Sequence, residues 1–143
     1  MVKSFLNPEA EGSLVYQTDK NIEYPPVFVL KRNQVLISLT PHDFSFVIED
    51  CLSRIFATLF KHRVKANLVQ NSAISFSICV DDEEHFLPGA IGELKKNFAV
   101  RYNRNLELRT IRHYNQQEID RFTKGRKILL QQKTRSTVRF VME

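Results

Sequence analysis

The histidines of this sequence do not form a pattern that binds metal. They lie far apart, at His42, His62, His85 and His113. None is four residues from another, the spacing that places two ligands on one face of a helix. Asp81 stands four residues before His85, but nothing nearby supplies a third ligand. The sequence therefore does not predict a zinc site.

Nucleophile and phosphate-binding motifs are also missing. With four glycines, the chain contains no GxxxxGK[ST], GxGxxG or GxSxG segment. Cys51 and Cys79 lie in apolar segments, which indicates buried reduced thiols rather than a nucleophile or a disulfide. The acidic run at 81–84 suits the start of a helix, where the helix dipole favours negative charge. We therefore predict that this chain is not an enzyme by itself and needs no cofactor.

A polar break between two predicted strands is the feature that indicates a binding site. Asn67, Asn71 and Ser72 follow a long predicted helix, and the loop at 40–45 precedes it. If both meet at one end of a sheet, the free N–H groups near 47–49 can bind a small carboxylate, and Asn oxygens can accept from an amino group. The other interpretation is that these are only turn and capping residues.

Length and composition favour one globular domain with a substantial core. The chain has 143 residues, of which 43% are hydrophobic and 26% are charged. No apolar run spans a bilayer and no signal peptide is recognisable, so we expect a cytoplasmic protein without a membrane partner. Positive charge concentrates near the C-terminus, at Arg121, Lys124, Arg126, Lys127, Lys133, Arg135 and Arg139. Without an aromatic stacking platform, this cluster makes nucleic acid an unlikely partner.

Hydrophobic periodicity predicts an α+β fold. Residues 35–39 are β-prone, the stripe from Ile48 to Phe60 is helical, and 66–69 and 74–80 are strands, the latter with one buried face. A second helical stripe covers 87–98, and 100–102 closes the series. Ser45 or Asp43 is the predicted cap of the first helix. The order βαββαβ is the ferredoxin-like plan.

The remaining residues start the same pattern again. We predict strands at 106–112, 127–132 and 137–142 and a short helix at 116–122, without a second helix or a fourth strand. Such an incomplete unit leaves an apolar face and unpaired edges. It must therefore pack on the first unit, on another chain or on a missing domain.

Two segments resemble aspartate kinases. Residues 7–13, Asn-Pro-Glu-Ala-Glu-Gly-Ser, are similar to the Asn-Pro-Glu-Ala-Pro-Gly-Thr motif that closes the catalytic domain in that family. Residues 54–77 resemble its first ACT domain, in which a helix leads to an Asp/Asn-Leu-Ile strand and then to a strand of alternating Ser and apolar residues. Residues 105–111 fall where its second ACT domain begins. The resemblance implies the remnant of a kinase-domain end and a linker at 1–26, a first ACT domain at 27–103 and a second, shortened βαββ ACT-like unit at 104–143.

The resemblance also implies a function. Aspartate kinases use ATP and Mg to phosphorylate L-aspartate, the entry step to lysine, threonine and methionine biosynthesis, and their ACT domains bind end-product amino acids, commonly lysine or threonine, at ACT–ACT interfaces. The implied effector-binding residues are Asn67, Asn71, Ser72, Phe44, Ser45, Phe46, Val47 and Ile48. Asn67 stands where Asp is more frequent, and a neutral side chain attracts an ammonium group less.

Three functions follow as hypotheses. The first is a regulatory module of an aspartate kinase that binds an amino acid, forms a homodimer by pairing sheets and works with a kinase domain. The second is a free-standing ferredoxin-like module that uses its basic C-terminal face on nucleic acid. The third is a domain that only dimerises.

Overall fold

The structure, a computed structural model, describes residues 1–17, 24–43 and 46–143. Within them lie six strands and three helices: β1 (Val27–Pro41), α1 (Glu49–Lys61), β2 (Ala66–Asn71), β3 (Phe76–Asp81), α2 (Leu87–Leu94), β4 (Phe98–Arg112), α3 (Gln116–Thr123), β5 (Ile128–Lys133) and β6 (Thr137–Met142). All strands join one antiparallel sheet in the order β2-β3-β1-β4-β6-β5. The chain is therefore α+β, as the periodicity predicts.

Two 15-residue strands, β1 and β4, run through the whole molecule and join its parts. Residues 34–39 of β1 pair with β3, whereas residues 27–31 pair with residues 108–112 of β4. The predicted boundary between residues 103 and 104 thus falls inside a continuous strand. The prediction that the C-terminal unit lacks a fourth strand is wrong, because residues 27–31 of β1 pair with β4 and supply that strand. We call residues 34–103 the first half, and residues 27–31 with 106–142 the second half.

The sheet bends sharply between the two halves. Asn33 and Asn105 adopt positive φ angles of 53° and 58°, and the register of β1 and β4 shifts between Lys31 and Leu36. The Gln132 Nε2 atom of β5 lies 3.3 Å from the Val69 carbonyl oxygen of β2. In a flat sheet these outermost strands would lie about 24 Å apart, at ~4.8 Å per strand. The sheet is therefore folded over until its two edges meet.

The core consists of three hydrophobic clusters. The helices α1 and α2 cover one face of the first half, with Ile37, Ile55 and Leu87 fully buried. The faces without helices share a second cluster, which consists of Leu36, Leu68, Cys79, Leu106, Leu108, Leu130 and Val141. The helix α3 covers a third cluster around Phe140. Cys79 is buried on the face opposite to Ile78, so β3 is covered on both faces and not on one as predicted.

The first helix begins differently from the prediction. Its N-cap is Ile48, which provides no side-chain hydrogen bond, so the predicted cap Asp43 is wrong, and Ser45 lies outside the described residues. The predicted apolar stripe is wider than the buried face, because Ile55 and Leu59 are buried whereas Phe60 is 87% exposed. An apolar surface therefore remains on the outer side of α1.

The second helix is shorter than predicted. Leu94 is its last residue, and Phe98, which the stripe assigned to the helix, begins β4. The acidic residues at 81–84 lie before the helix, whose first turn contains no acidic residue. Their role as helix-dipole partners was therefore predicted wrongly.

The segment around residues 7–13 forms a closed loop. Val2 and Ser13 exchange two backbone hydrogen bonds of 2.7 Å, and Gly12 between them has a φ of +76°. A Cβ atom at Gly12 would lie 2.6 Å from the Val2 carbonyl oxygen. Glycine is therefore required by the backbone conformation and by this close approach.

Candidate functional site

The loop before α1 and the loop after β2 meet at one end of the sheet. The Val47 N–H donates to the Ala73 carbonyl at 2.8 Å. Ser72 closes the second loop, because its N–H donates to the Ser75 carbonyl and its hydroxyl lies 2.8 Å from the Ser75 hydroxyl. Asn71 ends β2 at the same place. Of the predicted effector residues, the structure thus brings together the segments of Phe46–Ile48 and Asn71–Ser72, while Phe44 and Ser45 lie outside the described residues.

Asn67 lies at the other end of β2. Four residues of extended strand separate it from Asn71, a distance of about 13 Å at ~3.3 Å per residue. Its amide nitrogen donates to the Gln34 Oε1 atom at 2.9 Å and to the Asp81 carboxylate at 3.0 Å. Its amide oxygen accepts from the Lys31 ammonium group at 2.8 Å. All of these partners belong to the same chain, so Asn67 is held in a polar network at the bend of β1.

This network is electrostatically balanced. Burial raises the pKa of Asp81, but hydrogen bonds from Gln34, Asn67 and Lys31 outweigh it, and the pKa lies below the ordinary value of 3.8. Gln34 is fully buried and also donates to Asp81 at 2.7 Å. Burial raises the pKa of Cys79 to about 12, so that thiol is neutral and suited to packing. The network therefore connects β1, β2 and β3 at the bend.

Sequence reasoning missed this network. Gln34 stands immediately before an apolar run and gives no signal of burial, and Lys31 is an ordinary surface cation in a one-dimensional view. The available signal is the Asn-Gln pair at 33–34 in the middle of a β-prone segment, because Asn tolerates a positive φ better than most residues. Its partners Asn67 and Asp81 come together only through the pairing of β1, β2 and β3.

A cavity of about 520 Å³ lies beside the start of α1. Its walls come from the end of β1, residues between β1 and α1, the first two turns of α1 and the start of β4, namely Pro41, His42, Asp43, Phe46, Ile48, Asp50, Cys51, Arg54, Asn97 and Phe98. Phe46 and Ile48 are predicted effector residues, whereas the other lining residues were not predicted. The cavity therefore adjoins the loop that the sequence indicates, on the side away from Asn67.

The charges on the cavity wall are mixed. Asp43 and Asp50 line the cavity, and Asp50 lies in the first turn of α1, where it complements the positive end of the helix dipole. Arg54, one turn further along, has no carboxylate partner among the residues that the structure describes and can bind a ligand carboxylate. Phe46, Ile48 and Phe98 add apolar surface to the cavity wall.

The structure adds two observations on sites and membranes. Across the described ranges 1–17, 24–43 and 46–143, no three His, Cys, Asp or Glu side chains group closely enough to hold a metal ion. In the same ranges, none of the helices has the length and apolar character needed to cross a membrane.

Comparison with known proteins identifies the fold. No family model matches the chain, and no curated protein matches it by sequence. Solved structures of aspartate kinases and of their regulatory regions do match. Aspartokinase III of Escherichia coli in complex with lysine and aspartate is 17% identical, with a TM-score of 0.66 over 87% of this chain and 31% of that chain.

Two further matches have the same character. The aspartate kinase of Clostridium acetobutylicum is 16% identical, with a TM-score of 0.67 over 81% of this chain and 30% of that chain. The regulatory subunit of aspartate kinase from Thermus flavus is 10% identical, with a TM-score of 0.59 over 80% of this chain and 86% of that chain. The chain thus spans less than a third of the full kinases and most of an isolated regulatory subunit. The fold is similar to that of the regulatory regions of aspartate kinases.

Proposed function

We propose that this chain is the regulatory part of an aspartate kinase and binds an end-product amino acid. The observation that supports this most is the cavity at the start of α1, because it adjoins the loop that resembles the effector loop of that family and carries charges of both signs. The fold similarity supports it further, since one of the matching structures contains lysine. Lysine and threonine are the first ligands to test.

The proposed contacts differ from those expected from the resemblance. The ligand ammonium group lies near Asp50 at the start of α1, and the carboxylate lies near Arg54. The loops at 46–48 and 71–72 close the site. Asn67 acts indirectly, because its three hydrogen bonds hold the bend of β1 rather than a ligand.

We propose that two copies of the chain pair through α1 and β2. The strand β2 is an outermost strand of the sheet, but β5 already contacts it at Val69, so the proposed pairing relies mainly on the surface of α1 beside it. Phe56 and Phe60 on α1 and Ile74 beyond β2 are 44%, 87% and 56% exposed. Together they form an apolar surface next to that strand. Pairing would bury it and place the loop at 71–75 of each copy near its partner.

The wider role follows from the same proposal. The loop at 2–13 corresponds to the end of a kinase domain that uses ATP and Mg to phosphorylate L-aspartate in the cytoplasm. The two halves of the sheet correspond to two ACT-like units, of which the second lacks one helix. An amino acid that binds one arrangement of the regulatory part more tightly shifts the enzyme toward that arrangement, and this differential affinity is sufficient for control.

A thermal unfolding experiment tests amino-acid binding. Lysine, threonine and methionine are added separately to the chain, and a ligand at about 100 times its Kd should stabilise it by roughly 2.7 kcal/mol. Arg54→Gln should remove the shift, whereas Arg121→Gln, an equal charge change on exposed α3, should keep it. If none of the three amino acids raises the Tm, the proposal of a sensor is wrong and a domain that only dimerises remains.

A second experiment tests the dimer. Sedimentation equilibrium should give a dimer for the chain and for Phe5→Ser, which changes a Phe that is 97% exposed and belongs to the N-terminal loop rather than to α1 or β2. Phe60→Ser should shift the equilibrium toward monomer, because it removes about 1.5–3 kcal/mol of burial from each copy. A monomer in all three proteins would contradict pairing through α1 and β2.

A further inference from the structure

A small polar cavity lies on the second half, on the face that carries no helix. It has a volume of about 200 Å³ and is lined by Gln132, Thr134, Thr137 and Arg139. These residues come from β5, β6 and the turn between them. The cavity shares no residue with the one at the start of α1, so it is a separate feature of the molecule.

The register of the strands places the cavity at the edge of the apolar cluster shared by the two halves. Arg139 on β6 lies directly between Thr110 on β4 and Gln132 on β5. The preceding row on the same face, nearer the bend, contains Leu108, Val141 and Leu130, which belong to that cluster. The following row contains Arg112 opposite Thr137. The apolar interior thus gives way to a polar surface with two guanidinium groups.

Arg139 is half-buried in a central strand and has no ion partner among the described residues. Arg109, on the opposite face, does have such partners. It donates to the Glu107 carboxylate at 2.7 Å and to the Phe122 carbonyl at 2.6 Å. Removing a guanidinium group from water without a carboxylate, phosphate or carbonyl partner is unfavourable. The lining of the cavity contains no acidic side chain that could balance the charge of Arg139.

The remaining groups on the cavity wall are donors that suit such a charge. The Gln132 amide and the Thr137 hydroxyl lie beside the guanidinium group, and no side-chain hydrogen bond occupies that hydroxyl in the part of the chain that the structure describes. Thr134 is already occupied, since its hydroxyl donates to the Thr137 carbonyl and accepts from the Thr137 N–H. Guanidinium groups bind carboxylates and phosphates with two parallel hydrogen bonds.

We propose that this cavity binds a small oxyanion, a carboxylate or a phosphate group, through Arg139, Thr137 and Gln132. Gln132 also donates to the Val69 carbonyl of the first half at 3.3 Å, so the bound anion lies at the contact between the two halves. Binding there stabilises the folded-over sheet. This inference does not depend on the proposed regulatory function, because it uses other residues and another face.

Titration of the whole chain with sodium phosphate and with sodium succinate tests the proposal, with sodium chloride at matched ionic strength as the control. Amide chemical shifts should change in a saturable manner around residues 132–139 with one of the two anions and not with chloride. A saturable shift with phosphate only identifies the ligand as a phosphate group, and a saturable shift with succinate only identifies it as a carboxylate. Arg139→Gln should weaken that binding at least about tenfold, since a charge-assisted bidentate contact is lost.

Arg135→Gln is the matched control, because it removes the same charge from the exposed turn nearby without lining the cavity. It should bind the anion as the parent chain does. If Arg139→Gln does not fold, Thr137→Val keeps the side-chain shape and should weaken binding several-fold. Equal loss in Arg139→Gln and Arg135→Gln, unchanged binding in Thr137→Val, or no saturable shift with either anion would overturn the proposal.

Discussion

The side chain of Asn67 is engaged within its own chain. The resemblance assigns it to effector binding, but its three hydrogen bonds go to Lys31, Gln34 and Asp81 of the same chain. One of these bonds satisfies the side-chain oxygen of the fully buried Gln34, and together they connect three strands at the bend. Asn71, at the other end of the same strand, is exposed and has no side-chain hydrogen bond within the described residues.

Replacing each asparagine in turn tests which of the two contributes to the stability of the fold. Asn67→Ala should lower the free energy of unfolding by about 1–3 kcal/mol, because the oxygen of the buried Gln34 side chain loses its Asn67 donor and Asp81 loses one of its three donors. Asn71→Ala should change it by less than about 0.5 kcal/mol. Urea denaturation of both variants provides the comparison. Equal effects would mean that the network around Gln34 contributes nothing to the stability of the fold.

At the scale of elements, α1 and α2 are joined by a polar contact at their ends. The Glu93 carboxylate accepts from the Lys61 ammonium group at 2.8 Å and lies 2.8 Å from the His62 Nε2 atom. Hydrogen bonds from Lys61 and His62 lower the pKa of Glu93 from 4.5 to about 2. Gly89 allows the approach, since a Cβ atom there would lie 2.8 Å from the His62 ring.

The pH dependence of stability tests this contact. A carboxyl group whose pKa is depressed on folding stabilises the protein above its unfolded value of 4.5, and this contribution disappears as the pH falls toward about 2. Glu93→Gln should therefore be less stable than the parent chain at neutral pH, and the two should converge in acid. Glu84→Gln, an exposed acid outside both helices, is the control and should follow the parent chain throughout. A constant difference between parent and Glu93→Gln across this range would show that the carboxylate charge is not responsible.

At the scale of the whole molecule, the folded-over sheet makes the two halves one structural unit. Their shared cluster contains Leu36 and Leu68 from the first half and Leu108 and Leu130 from the second. Strands β1 and β4 continue through the bend, so neither half can unfold without disturbing a strand of the other. Such an arrangement also lets a ligand bound at one half change the stability of the other.

Truncating a side chain of the shared cluster should therefore destabilise both halves of the molecule. Leu108 is 5% exposed, and Leu108→Ala should destabilise the chain by about 2–5 kcal/mol, as expected for a cavity in a core. Amide hydrogen exchange should then accelerate at β3 in the first half as well as at β6 in the second. Leu14→Ala, at a position that is 70% exposed, serves as the control and should leave exchange unchanged. Faster exchange confined to the second half would show that the halves are independent.

The sequence by itself determined the helices and most strands, because hydrophobic periodicity is a local property. Strand β6 was predicted with its observed bounds and α3 within one residue. The loops at 46–48 and 71–72 were also predicted to meet, since each lies next to an element whose direction the periodicity defines. The segment at 7–13 and the ACT-like stretch at 54–77 were sufficient to indicate the fold to which the solved structures are similar.

Only the tertiary structure decided how these elements are joined and which polar groups meet. Periodicity shows that residues 106–112 form a strand, but not that they pair with residues 27–31, some 80 positions earlier, because pairing depends on the path of the whole chain. The bend depends on the positive φ angles of Asn33 and Asn105, which the sequence permits without requiring. That bend places Asn67 in the network around Gln34 and places Arg139 beside Gln132 at the contact between the halves.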